Sequence, residues 1–217
     1  MSKLFQPESR AILFLNKVAD LMLLNLVWLV GCLGIITIGT STTALYKCLF
    51  LMSTGNLAYP FRSFWSYFRN EWKQSTLLWV PMLVTLVFLS VDFYAIFLAK
   101  LFKGITWKIC FFIVLCVVVP MMLYVFPLQA KFQNSQRQTL KNACLLAIIH
   151  FPKSLIIAIV TFAPLFLWLL VPDVFFHTLV LVLFLGRSVP AYWSCHLFKT
   201  IFERYMAPEE LEKQNAG

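Results

Sequence analysis

The chain has 217 residues, of which 61% are hydrophobic and 12% charged, and its mean hydropathy is +0.82. A soluble domain carries about 25% charged residues, so this composition excludes an ordinary soluble domain and predicts a membrane protein. The formal net charge is +9, and the basic residues stand at the ends of apolar segments, where the positive-inside rule places them. We therefore expect that this chain interacts with the lipid bilayer and that it does not bind nucleic acid.

Six apolar segments approach the length of a membrane-spanning helix, which is about 20 residues. They lie at 18–36, 42–55, 77–99, 105–128, 153–171 and 174–195. The predicted fold is all-α, a polytopic membrane helical bundle of six spans in three hairpins, forming a single integral membrane domain, 1–217. The alternative has five spans, because 42–55 is short for a complete crossing.

A segment of glycine, threonine and serine, GTSTT at 39–43, interrupts the apolar sequence after the first span. Non-helical backbone in hydrocarbon must be hydrogen-bonded within the protein, so we expect a turn here at the outer interface. Thr40 and Ala44 are four residues apart, a spacing that favours close packing of helices. The alternative function of this segment is a binding loop for a polar solute such as a sugar.

The stretch 61–73 predicts an interfacial amphipathic helix. Aromatic residues recur on one helical face and basic residues on another, which is typical of a helix at the level of the lipid headgroups. The candidate anchor residues are Phe61, Arg62, Trp65, Phe68, Arg69, Trp72 and Lys73. The helix either anchors the third span in the interface or docks a partner.

The basic segments also predict the orientation of the chain. The connector 129–142 contains three basic residues and no acid, and 62–73 and the C-terminal tail carry three basic residues each. The positive-inside rule places these three segments in the cytoplasm. If the chain has six spans, the N-terminus lies on the same side, so we expect both termini in the cytoplasm.

Ionisable residues within the spans are the first candidates for function. Depth counted at about 1.5 Å per residue places Lys47 and Asp92 at similar depths below the outer interface, which predicts an ion pair between them. The alternative is that Lys47 extends to the headgroups and that Asp92 meets water. Arg187 is predicted to contact Asp20 or Asn25 and to hold the bundle together.

Signatures of enzymes and metal sites are absent from the sequence. It contains no phosphate-binding loop, no H-E-x-x-H motif and no G-x-S-x-G motif. Its six cysteines include no C-x-x-C pair. We therefore expect no enzyme activity, and with it no catalytic residue, no cofactor and no metal.

Three strings carry a family resemblance: NKVADLMLLNLVWL at 16–29, ITIGTSTTALY at 36–46 and FRNEWKQST at 68–76. With them the chain resembles the YesL family of uncharacterised membrane proteins from Gram-positive bacteria. The resemblance implies a protein of the bacterial cell membrane that is often encoded near carbohydrate-uptake systems, and it implies no particular activity. We therefore expect a protein that is accessory to an ABC-type sugar transporter or regulates it. The alternatives are a small-solute transporter in its own right and, third, a membrane enzyme.

Overall fold

The computed structural model describes residues 10–101, 104–132, 134–170 and 172–202. Over these residues the chain forms eight α-helices and no strand, which confirms the predicted all-α bundle. The helices are α1 (Arg10–Gly31), α2 (Ile38–Ser53), α3 (Pro60–Phe93), α4 (Ile105–Lys131), α5 (Gln136–Ile149), α6 (Phe151–Leu170), α7 (Pro172–Leu185) and α8 (Ser188–Phe202). A short 3₁₀ turn, Ile35–Thr37, precedes α2, and a π-helical turn, Tyr94–Leu98, extends α3.

Four helical segments of the described chain are long and apolar enough to cross a membrane: Ala11–Gly31, Ile35–Ser53, Pro60–Leu98 and Ile105–Lys131. Two bent pairs are further candidates. Gln136–Ile149 and Phe151–Ala163 meet at 101°, and Thr178–Leu185 and Ser188–Phe202 meet at 48°. The described residues thus provide four to six candidate spans, as a multi-pass membrane protein requires.

α2 lies at the centre of the bundle. Twelve of its 16 residues are buried, and it packs against α1, α3, α4 and α8. By contrast, α1, α3 and α4 expose many large apolar side chains, as surfaces that face lipid do. The segment predicted at 42–55 is therefore an inner helix surrounded by protein.

Small residues bring α2 and α3 close together. A Cβ atom on Gly39 would lie 2.6 Å from the Cβ of Trp79, closer than Cβ contacts in proteins, and 3.0 Å from the carbonyl oxygen of Ser75. The Ser75 hydroxyl donates a hydrogen bond to Thr43 Oγ1 at 3.0 Å, and the hydroxyls of Thr40 and Thr76 lie 3.3 Å apart. The glycine and threonine segment at 39–43 is thus helical, so the turn predicted there is wrong, whereas the close packing predicted from Thr40 is present.

The first part of α3 is amphipathic, but it is not a separate element as predicted for 61–73. The helix continues without a break into the apolar segment that follows. Phe64 is fully buried and makes ring contacts with Trp65 and Phe68. These three rings pack against the main hydrophobic core, so this part of the predicted aromatic face contacts protein. The interfacial position of the helix stays a prediction.

Two of the predicted segments contain breaks that hydropathy alone did not reveal. The connector predicted at 129–142 is largely helical, since α4 continues to Lys131 and α5 begins at Gln136. The span predicted at 174–195 is divided between α7 and α8. Gly186 lies at this break, and Pro190 in the first turn of α8 has no backbone N–H to donate, so a continuous helix is disfavoured here.

Candidate functional site

A continuous chain of side-chain hydrogen bonds links α2, α3 and α4. Lys47 Nζ on α2 lies 2.9 Å from Glu71 Oε1 on α3. Gln129 on α4 donates from Nε2 to the second oxygen of Glu71, Oε2, at 3.1 Å. Gln74 Nε2 lies 3.1 Å from Gln129 Oε1 and 2.6 Å from the carbonyl oxygen of Asn134. We call these five residues the polar network.

The polar network is partly shielded from the surroundings of the bundle. The side chains of Lys47 and Glu71 are 27% and 16% exposed, and Gln129 is buried. The ammonium group of Lys47 also lies 4.9 Å from the ring centroid of Tyr67, a favourable cation–π distance. Both oxygens of the Glu71 carboxylate are engaged, so its orientation is determined by two neighbouring helices at once.

The predicted ion pair between Lys47 and Asp92 is not formed. α2 packs against the first part of α3, so Lys47 faces Glu71. Asp92 is exposed and lies about 31 Å further along the same helix at 1.5 Å per residue. The depth count failed because it placed the α1–α2 turn and the α3–α4 turn at the same interface.

The α1–α2 turn in fact contacts the middle of α3. Trp79 Nε1 donates a hydrogen bond to the carbonyl oxygen of Ile35 at 2.8 Å. The Thr37 hydroxyl lies 2.8 Å and 2.7 Å from the carbonyl oxygens of Gly31 and Gly34. Trp79 and Thr37 therefore each donate a side-chain hydrogen bond to a carbonyl group of this turn, as irregular backbone away from water requires.

Asn25 on α1 bridges the break between α7 and α8. Its Oδ1 atom accepts hydrogen bonds from the backbone N–H groups of Arg187 and Ser188, both at 2.9 Å. Its Nδ2 atom donates to the carbonyl oxygen of Leu183 at 2.7 Å. A broken helix in a membrane exposes such groups, and here a neighbouring helix satisfies them. The contact predicted between Arg187 and Asn25 is thus present, although it involves the backbone of Arg187.

The side chain of Arg187 points towards α2. Its Cζ atom lies 6.0 Å from the ring centroid of Tyr46. The alternative predicted contact, with the half-buried Asp20, is not formed as an ion pair. The fully buried hydroxyl of Ser188 has no hydrogen-bond partner among the described residues. The α7–α8 break therefore combines a cation, Arg187, with one unused hydroxyl, that of Ser188.

The predicted anchor residues divide into two sets. Those that are exposed are Phe61, Arg62, Arg69, Trp72 and Lys73, and those that are half-buried are Trp65 and Phe68. A surface cleft of about 790 Å³ lies along this part of α3, and both arginines line it. The basic side of the predicted helix is thus a free surface, whereas part of its aromatic side is internal.

Sequence reasoning missed Glu71, Gln74 and Gln129. A signal for Glu71 exists in the helical periodicity, because the buried positions of α3 include Phe64, Ser75 and Leu78. Position 71 lies on the same inward face of the helix, because it follows Phe64 by seven residues and precedes Ser75 by four, and Leu78 follows Ser75 by three. A carboxylate at an internal position predicts a buried partner. Gln129 had no such signal, since it stands just beyond the segment predicted as a span.

No group of three or more His, Cys, Asp or Glu residues that could hold a metal ion occurs in the described part of the chain. The polar network contains one carboxylate and one amine, and its remaining members are amides. These groups orient one another, and a relative movement of α2, α3 and α4 would change the hydrogen bonds between them.

Residues 21–93 match the family described as "Protein of unknown function, DUF624". The match covers about a third of the chain and includes α2, Lys47, Glu71 and Gln74. No curated protein and no solved structure matches the chain. The similarity therefore connects this chain to an uncharacterised family, and it assigns neither an activity nor a ligand.

Proposed function

We propose that this protein is an accessory or regulatory subunit of a sugar uptake system of the ABC type. In this proposal it lies in a bacterial cell membrane with both termini in the cytoplasm, and it has no enzyme activity of its own. The sequence resemblance to the YesL family supports the connection to sugar uptake. The packing of the bundle supports an accessory role over transport.

The packing of α2 is the observation that carries this proposal. A transporter of polar solutes needs a cavity lined by polar groups from several helices. The centre of the described bundle is instead filled by α2. The hydroxyl groups of Thr40 and Thr43 contact hydroxyl groups on α3. Lys47 is likewise engaged by Glu71. These contacts pair Thr40, Thr43 and Lys47 of α2 with groups on α3.

An apolar groove on the outside of the bundle suits a membrane partner. It has a volume of about 610 Å³ and lies between α4 and the bend that joins α5 to α6. The side chains lining it include Phe112, Ile113, Val117, Ala147 and Phe151, with hardly any polar surface. Because helices associate in lipid chiefly through close packing, such a groove can accept a membrane helix of a transporter subunit.

Site-specific photo-crosslinking in native membranes tests the proposal. We place a photo-reactive amino acid at Phe112 in the groove and identify the crosslinked proteins by mass spectrometry. We expect the membrane subunits of a sugar transporter to be recovered. The matched control is Phe88, which is 66% exposed on α3 and does not line the groove. Equal recovery from both positions, or no transporter subunit from Phe112 during growth on several sugars, would sink the proposal.

A second candidate function, transport of a small solute by this chain itself, is favoured by the α7–α8 break. Transporters bind their substrates where spanning helices are interrupted. This break contains Arg187 and the fully buried hydroxyl of Ser188, which has no hydrogen-bond partner among the described residues. The test is uptake of radiolabelled sugars into proteoliposomes that contain only this protein. Uptake that Arg187→Gln abolishes would support transport, and its complete absence would exclude the sugars tested as substrates.

A further inference from the structure

We propose that a cationic surface formed by α3 and α5 binds the phosphate groups of anionic phospholipids. We define this cationic surface as Arg62, Arg69 and Lys73 on α3 together with Arg137 and Lys141 on α5. It is separate from the apolar groove, so it goes beyond the proposed role in sugar uptake. The sequence placed these residues in two unconnected segments, and the fold brings α3 and α5 into contact.

Among the described residues, no acidic side chain compensates the charge of the cationic surface. All five side chains are exposed, and no carboxylate of a described residue lies within 4 Å of any of them. α5 contains no acid. The acid nearest in sequence on α3 is Glu71, which turns inward to Lys47 and Gln129. Five cations that no described carboxylate pairs, at one end of a bundle, attract anions.

Two clefts place these cations beside neutral hydrogen-bond donors. The cleft of about 790 Å³ along α3 is lined by Arg62 and Arg69 together with Ser66 and Asn70. A second cleft, of about 580 Å³, has Lys73 on one wall and Arg137 on the other, so α3 and α5 both contribute a cation to it. Phosphate oxygens accept hydrogen bonds from guanidinium, ammonium, hydroxyl and amide groups at once.

The position of the cationic surface along α3 favours lipid over a soluble acidic protein. One turn after Lys73, the exposed face of the helix becomes apolar at Leu77, which is 57% exposed, and it stays apolar through Val84. Phe61 and Trp72 are also exposed beside the cations. A helix that changes from apolar to basic and aromatic within one turn leaves the hydrocarbon there, so its cations lie at the level of the headgroups.

Native mass spectrometry of the full chain tests this proposal. Phosphatidylglycerol and phosphatidylcholine with identical acyl chains are titrated separately into the protein in a non-ionic detergent. We expect phosphatidylglycerol to bind more tightly. Each cation removed should weaken its binding about fivefold, so Lys73→Gln/Arg137→Gln and Arg62→Gln/Arg69→Gln should each weaken it about 25-fold.

Three controls make the result decisive. Lys108→Gln removes a cation from the start of α4, outside the cationic surface, and should leave phosphatidylglycerol binding unchanged. Arg62→Lys/Arg69→Lys preserves the charge and should retain most of the binding. Inorganic phosphate at the concentration of the lipid should not displace it. Equal affinity for the two lipids, a loss as large in Lys108→Gln, or displacement by inorganic phosphate would each overturn the proposal.

Discussion

Single polar side chains stabilise this bundle by reaching groups on neighbouring helices. Asn25 satisfies backbone groups on both sides of the α7–α8 break, and Glu71 accepts from α2 and α4 together. In a low-dielectric interior, a polar group left without a partner costs more than the same group in water. The stability of the bundle should therefore be sensitive to these two positions.

Asn25→Leu should destabilise the protein by about 1–3 kcal/mol. The substitution leaves two backbone N–H groups and one carbonyl group without their partner. Each hydrogen bond between membrane helices contributes only about 1 kcal/mol, which keeps the expected loss in this range. The measurement is unfolding in mixed micelles with increasing sodium dodecyl sulfate. Asn16→Leu is the matched control, since Asn16 is exposed on the same helix and should change stability by less than about 0.5 kcal/mol. If both variants unfold at the same fraction of sodium dodecyl sulfate, the hydrogen bonds of Asn25 do not stabilise the α7–α8 break.

Lys47→Met and Glu71→Gln should show coupled effects on stability. Each single substitution leaves one partner of a partly buried pair uncompensated and should cost about 1–3 kcal/mol, whereas the double variant should cost less than the sum. The same micelle unfolding measures the coupling, which we expect to be about 0.5–3 kcal/mol. Asp92→Asn serves as the control and should be nearly neutral, because Asp92 is exposed. Strict additivity of the two substitutions would contradict the observed pairing.

At the scale of elements, the contact of α2 with α3 depends on a residue without a side chain. A Cβ on Gly39 would lie 2.6 Å from the Cβ of Trp79, so the two helices would have to separate. The hydroxyl contacts between Thr43 and Ser75 and between Thr40 and Thr76 need the same close approach. Lys47 and Glu71 of the polar network lie on this pair of helices too, so the distance between their side chains depends on the spacing of α2 and α3.

Gly39→Ala should therefore destabilise the protein by about 1–3 kcal/mol through overpacking, despite the better helix propensity of alanine. Gly104→Ala provides the control. A Cβ on Gly104 meets only Trp107 Cδ1, at 3.6 Å, which is an ordinary contact. Thermal unfolding of both variants in detergent should lower the Tm for Gly39→Ala alone. Equal Tm values would show that α2 and α3 can separate at little cost.

For the whole molecule, the length of α3 predicts the depth of the α1–α2 turn in the membrane. The segment Pro60–Leu98 has 39 residues, about 58 Å of helix, whereas the hydrocarbon core is about 30 Å thick. The α1–α2 turn lies beside Trp79, about 28 Å along α3 from its end at Leu98. Leu33, Ile35 and Ile36 are exposed and apolar. We therefore expect this turn within the hydrocarbon and not at the outer interface.

Thiol labelling of intact cells and of inverted membrane vesicles tests the depth of this turn in the membrane. In a variant whose six native cysteines are replaced by alanine, Leu33→Cys should resist a membrane-impermeant maleimide in both preparations. Leu101→Cys, in the α3–α4 turn, should react from outside. Leu33 and Leu101 are 84% and 70% exposed, so protein contacts do not explain a difference between them. Rapid labelling at position 33 from outside would instead place this turn at the outer interface, as the three hairpins predicted from hydropathy require.

The agreement between sequence and structure was best where the signal is local. Apolar segment length predicted a multi-pass helical protein, and the spacing of Thr40 and Ala44 predicted close packing. The failures concern relations between segments. The spacing of aromatic rings in 61–73 could not distinguish lipid from the core of the protein, because both are apolar surroundings. A depth count likewise could not choose Glu71 over Asp92 as the partner of Lys47.

The sequence by itself determined the class of this protein, because hydropathy and charge distribution decide whether a chain can reside in a bilayer. It also contained the residues of the polar network and of the cationic surface. Only the tertiary structure decided which of them meet. α3 is long enough to pair with α2 at several heights, and the close approach at Gly39 selects one of them. That choice brings Lys47 to Glu71, and the contact of α3 with α5 joins two basic segments into one surface.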